Sequence, residues 1–136
     1  MINQVIIDQL QAHEGFSSKA YRCTSGRWTL GYGRNIQDKG ITEDEARYLL
    51  ENDINECVAD LKTLFAFDRL PEIVQRVLID MRFALGFYKF RGFKRMIAAI
   101  KDEDFALASS EIQDSVWFGE VKSRGITLVA MMLKAA

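Results

Sequence analysis

The stretch that most restricts the fold is residues 13–34, HEGFSSKAYRCTSGRWTLGYGR, because the period of the chain changes inside it. Ahead of it Val5, Ile6 and Leu10 recur at helical spacing, Glu14 closes that segment, and Gly15 stands where a helix C-terminus favours glycine. Beyond it Ala20, Tyr21 and Arg22, then Trp28 to Gly33, are rich in β-branched, aromatic and glycine residues. The turn signal Ser25-Gly26 lies between the two runs. The pattern predicts a helix followed directly by a β-hairpin.

A carboxylate at such a seam faces residues of the hairpin. Partial loss of water there raises a carboxyl pKa toward neutrality, which is what a general acid requires. The bland alternative for Glu14 is an exposed glutamate with no task.

The rest of the chain reads as helices. Thr42 with Glu45 three residues on forms a capping box, and Glu43 and Asp44 suit the positive end of a helix dipole. Ala46, Leu49, Leu50, Asp53, Ile54, Cys57, Val58 and Leu61 continue that helix to about residue 64. Residues 34–40 ahead of it read as a polar loop. Pro71, the only proline, opens the next helix, lined by Ile73, Val74, Val77, Leu78, Met81 and Leu85 and ended by Gly86. Amphipathic segments follow at 93–100, at 105–112 and from about 123 onward. In Phe87–Phe93 the aromatics alternate with Lys89 and Arg91, a pattern shared with nucleic-acid surfaces; the preferred reading is a loop and helix start packed on the core.

Composition narrows the function classes. A chain of 136 residues, 49% hydrophobic, suffices for one domain or two small lobes. A net charge of -1 and a pI near 5.9 argue against nucleic acid as partner. Two cysteines, Cys23 and Cys57, and one histidine, His13, are too few for a closed zinc site, and neither metal nor cofactor is expected. A Cys23–Cys57 disulfide is conceivable in an oxidising compartment. Asn3, Gln4, Asp8 and Gln9 interrupt the first ten residues, so no signal peptide or membrane anchor is expected there.

Glu14-Gly15, Tyr21, Cys23 and Thr29-Leu30-Gly31-Tyr32-Gly33 together resemble the phage-type lysozymes, glycoside hydrolase family 24. The family's Glu, eight residues, Asp or Cys, five residues, Thr is met by Glu14, Cys23 and Thr29. Gly-Ile-Thr-x-x-Glu-Ala at 40–46 fits the family's linking helix, and Val77 to Gly86 resembles its central buried helix. The resemblance implies an α+β fold. It comprises an N-terminal helix over 1–14, a small β-lobe over about 15–40, a linking helix over about 43–64, a helical lobe over about 71–136, and an active-site cleft between the lobes.

The resemblance also implies an endolysin, a muramidase hydrolysing the β-1,4 bond between N-acetylmuramic acid and N-acetylglucosamine in bacterial peptidoglycan. Glu14 is then the general acid, with Cys23 and Thr29 on the opposite side of the bond and Thr29 helping to hold the attacking water. Tyr32, Phe83, Trp117 and Arg124 would contact substrate, with Arg124 ion-paired to Glu14; Ala84 stands where relatives carry a polar contact. Glycosidases ordinarily use two carboxyl groups, and a thiol of pKa ~8.5 is a weaker base than aspartate. Base, nucleophile or tolerated replacement are therefore three roles for Cys23, and inversion and retention both stay open.

The expected setting is a monomer made in the host cytoplasm, without membrane insertion, which reaches the periplasm and cell wall through a separate holin-like protein. The alternatives are a lysozyme-like domain that binds glycan without cleaving it and a helical interaction protein.

Overall fold

The computed structural model describes residues 2–136. Helix α1 (Gln4–Glu14) begins at residue 4 rather than at 1, because Asn3 caps it: the Ile6 N–H donates to Asn3 Oδ1 at 3.1 Å. Its apolar residues are not core; Val5 is 74% and Leu10 49% exposed.

The expected hairpin is β1 (Ser17–Arg22) and β2 (Trp28–Gly31), antiparallel with Tyr21 opposite Thr29 and Arg22 opposite Trp28. A third strand, β3 (Arg34–Asn35), pairs antiparallel with β2, giving the order β1-β2-β3. Gly31 and Gly33, at φ 70° and 74°, make the reversal between β2 and β3, a backbone region that side chains disfavour.

Residues 34–40 are therefore not the loop the sequence suggested. Asn35 belongs to β3, and its side chain also accepts from the Asp38 N–H at 3.1 Å to start the one-turn helix α2 (Ile36–Lys39). Such short pieces carry no periodic signal.

Helix α3 (Glu43–Lys62) opens on the anticipated capping box. Thr42 N–H donates to Glu45 Oε1 at 2.8 Å, and Glu45 N–H to Thr42 Oγ1 at 3.2 Å. Only Cys57 and Leu61 are buried on it; Leu49 and Leu50 of its apolar stripe stay 50% and 44% exposed. The chain divides into two compact units, residues up to Tyr48 and Leu49–Ala136, so the boundary falls within α3.

The first unit holds the sheet, bound to the start of α3 by Arg34, whose guanidinium donates to Glu45 Oε1 at 2.8 Å and to Gly40 O at 3.2 Å. The second unit holds the core. Helix α4 (Glu72–Leu85) follows Pro71, whose carbonyl accepts from Val74 and Gln75, and ends at Gly86 with φ 77°. Val74, Val77, Leu78 and Met81 on it are fully buried. Around it lie α5 (Phe87–Arg91), α6 (Lys94–Lys101), α7 (Phe105–Gln113), α8 (Val116–Val121) and α9 (Ser123–Lys134). Phe90, inside the stretch whose aromatics alternate with cations, is fully buried, in keeping with a packing role.

Arg82 of α4 joins α3 by donating Nε to Asp60 Oδ2 at 2.9 Å. Gly125 lets α9 approach α8, for a Cβ there would lie 2.8 Å from the Phe118 ring. Among the described residues no helix is long and apolar enough to cross a membrane.

Candidate active site

Glu14 is the last residue of α1, and Gly15, at φ 72°, breaks the helix while its N–H still donates to Gln11 O at 2.9 Å. The Glu14 side chain then runs over Gly33. A Cβ at Gly33 would collide with Glu14 Oε2 and lie 2.9 Å from Cδ. Position 33 thus admits glycine for two separate reasons, its positive φ and this contact. The residue as a whole is exposed, so the enclosure expected at the helix–hairpin seam does not occur. What the seam supplies is a bare Cα against which the carboxylate rests.

Cys23 and Thr29 are brought together by one carbonyl. Arg27 O accepts the Cys23 N–H at 2.9 Å and the Thr29 Oγ1–H at 2.9 Å, tying both residues to the hairpin end. Thr29 is 3% exposed, whereas Cys23 is half-buried; Cys23 and the buried Cys57 are both free thiols. The Cys23 sulfur lies 3.0 Å from Ser25 Oγ. Its pKa is brought down to about 7, first by the Ser25 hydroxyl and then by the Arg27 and Ser25 amides, against a small opposing effect of burial; the Thr29 hydroxyl proton is already given to Arg27 O. Burial pushes the Cys57 thiol the other way.

Sequence reasoning saw Ser25 as a turn residue alone, and nothing in a linear pattern marks its hydroxyl as a neighbour of the sulfur. Tyr32, the residue before Gly33, is 49% exposed and pairs with the 68% exposed ring of Phe16 at 5.5 Å between centroids. Phe16, two residues after Glu14, also escaped the sequence reading.

The remaining expected contacts belong to the second unit. Phe83 on α4 is 45% exposed and Ala84 beside it is open. Trp117 is mostly core: 9% exposed and edge-on to Phe93 at 6.3 Å. What it still shows lines a groove of about 890 Å³ together with Ala84, Phe93, Lys94 and Glu111. Arg124, expected on Glu14, donates Nε to Asp80 Oδ1 at 2.6 Å and a terminal N–H to Asp80 O at 3.3 Å, an α9–α4 link within the helical unit. Among the described residues no cluster of histidine, cysteine and carboxylate side chains is arranged to hold a metal ion.

The chain is similar to two phage proteins and to one of Dictyostelium discoideum. It is 45% identical over 58 residues to an endolysin of Acyrthosiphon pisum secondary endosymbiont phage 1, covering 40% of this chain and 39% of that one. Over 160 aligned positions it is 24% identical to the pre-baseplate central spike protein of Enterobacteria phage T4, covering 96% of this chain but 28% of the spike protein. The probable T4-type lysozyme 1 of Dictyostelium discoideum is 22% identical over 157 positions, 93% of this chain and 92% of that one. The matched parts thus span well under half of the first two relatives. The family model described as phage lysozyme matches residues 11–128, a span that contains Glu14, Cys23 and Thr29 together with most of the helical unit, and the chain belongs to that family.

Proposed function

We propose that the protein is a muramidase that hydrolyses the β-1,4 bond between N-acetylmuramic acid and N-acetylglucosamine in peptidoglycan. The observation that carries this reading is the fixed pair of reactive groups in the first unit: Glu14 against Gly33, and Cys23 clamped with Thr29 on the Arg27 carbonyl.

Glu14, protonated, gives its proton to the glycosidic oxygen as the bond to the muramic acid anomeric carbon breaks. Water adds to that carbon, and its proton passes to the Cys23 thiolate. A thiol of ordinary pKa is almost all neutral at pH 7; one near 7 is about half thiolate there, so Cys23 can act as the base despite replacing a carboxylate. Thr29 Oγ1, which gives its proton to Arg27 O, has lone pairs left to accept from the attacking water. Tyr32 with Phe16 offers aromatic faces to sugar rings. The setting that suits this chemistry is a monomer made in the host cytoplasm and admitted to the cell wall by a separate holin-like protein.

Clearance of purified peptidoglycan by the wild type, Glu14→Gln and Cys23→Ser tests the reading. We expect new reducing muramic acid ends from the wild type and a loss of at least ~10²-fold with Glu14→Gln, the usual scale for a general acid. The acid limb of the wild-type pH profile should fall near 7, where Cys23 becomes protonated, and should be absent from the residual activity of Cys23→Ser. A wild type that retains peptidoglycan but releases no ends would mark a glycan-binding protein instead.

A further inference from the structure

Ser25 takes no part in the acid–base chemistry of Glu14, Cys23 and Thr29, yet its side chain lies against the sulfur. The turn around it is tightly closed: Gly26 N–H donates to Cys23 O at 2.8 Å, Cys23 N–H to Arg27 O at 2.9 Å, and Gly26 sits at φ 80°. In such a turn the third residue folds back over the first, which brings Ser25 Oγ to 3.0 Å from Cys23 Sγ.

We infer that Ser25 is a positioning residue for the base of the reaction: its hydroxyl donates to the Cys23 sulfur and holds it as a thiolate at the hairpin end. This inference rests on the reading of Cys23 as the base. A hydroxyl that donates to an anionic sulfur stabilises that anion far more than it stabilises the neutral thiol, so the proton leaves more readily.

The charged side chains next to the loop are engaged elsewhere. Arg22 of β1 donates to Gly26 O at 3.1 Å and lies over the Trp28 ring at 4.6 Å. Arg27, ahead of β2, pairs through Nε with Asp38 of α2 at 3.4 Å. Every influence that lowers the Cys23 pKa is accordingly a hydrogen bond rather than a cation, and Ser25 heads them. The chain thus replaces the charge of a carboxylate with a turn that collects donors on a sulfur.

The test is the pH dependence of iodoacetamide alkylation at Cys23, read by peptide mass for the wild type, Ser25→Ala and Ser25→Thr, beside the pH profile of peptidoglycan cleavage. Cys57, 1% exposed, serves as the internal unreactive thiol. We expect a wild-type midpoint of about 7, a rise toward the ~8.5 of an ordinary thiol in Ser25→Ala, and its return in Ser25→Thr, with the acid limb of cleavage moving in step. A Ser25→Ala midpoint equal to the wild type overturns the inference. So does a midpoint that rises while the cleavage profile stays fixed, because the hydroxyl then tunes a thiol the reaction does not use. A shifted midpoint in a protein whose wild type cleaves nothing overturns the muramidase reading while leaving Ser25 as the group that holds the thiolate.

Discussion

At Gly33 the absence of one methyl group decides where the proposed acid stands. The Glu14 carboxylate occupies the volume a Cβ would need, and the backbone at φ 74° is one that L side chains resist. Gly33→Ala therefore has two effects. Strain in the backbone should cost about 1–3 kcal/mol of stability, read by urea unfolding. Displacement of the carboxylate should lower kcat with little change in KM, because the acid works in the transition state and does not hold the sugar. An alanine variant with unchanged kcat would mean that the carboxylate reaches the bond from another position. Cys23 and Thr29 share the Arg27 carbonyl because one hairpin joins them, whereas Glu14 entered the reading beside them only through the resemblance of the three spacings to a family. The partner of Arg124 was not legible, since Asp80 lies 44 residues away and only the packing of α9 on α4 brings them together. Trp117 was singled out by the resemblance, which says nothing of how deeply a ring is buried in this chain.

At the scale of elements, end signals proved more readable than stripes. Thr42 and Glu45 form the reciprocal cap their spacing predicts, and Pro71 and Gly86 bracket α4. The periodic stripe of α3, by contrast, includes Leu49 and Leu50, which stay exposed: periodicity shows that a face exists and not what covers it. The cap also has a pH signature. The Thr42 amide first, and then Arg34 and the Thr42 hydroxyl, hold the Glu45 carboxyl below its usual range against the opposing effect of burial. A carboxyl depressed in the folded state stabilises fully above its unfolded pKa of ~4.3, and the gain disappears as pH falls through the lower folded value. Glu45→Gln, which can keep the cap geometry without the charge, should thus melt below the wild type at pH 7, with the two Tm values converging under pH 4. Curves that stay parallel down to pH 3 would place the effect in packing.

Across the whole molecule the burial is divided very unevenly. Among the described residues up to Tyr48, Thr29 alone is buried, whereas the fully buried side chains Leu61, Val74, Val77, Leu78, Met81, Phe90, Ile100, Ile112 and Met132 all belong to the second unit. Each such side chain contributes about 1.5–3 kcal/mol by leaving water. The first unit depends instead on main-chain pairing, the Phe16–Tyr32 contact and half-exposed links such as Arg34–Glu45 at 2.5 Å. Hydrogen bonds of this kind net only ~1 kcal/mol each because water competes for them. The part that carries Glu14, Cys23 and Thr29 should therefore open at lower free energy than the helical core. Native-state hydrogen exchange should find amides of β1 and β2 exchanging through openings well below the global unfolding free energy, while those of Val77 to Met81 exchange only through global unfolding. Equal protection in both units would show that the sheet draws on the helical core for its stability. With the expected inequality, the hairpin unit can open locally while the helical core that keeps the chain folded stays closed.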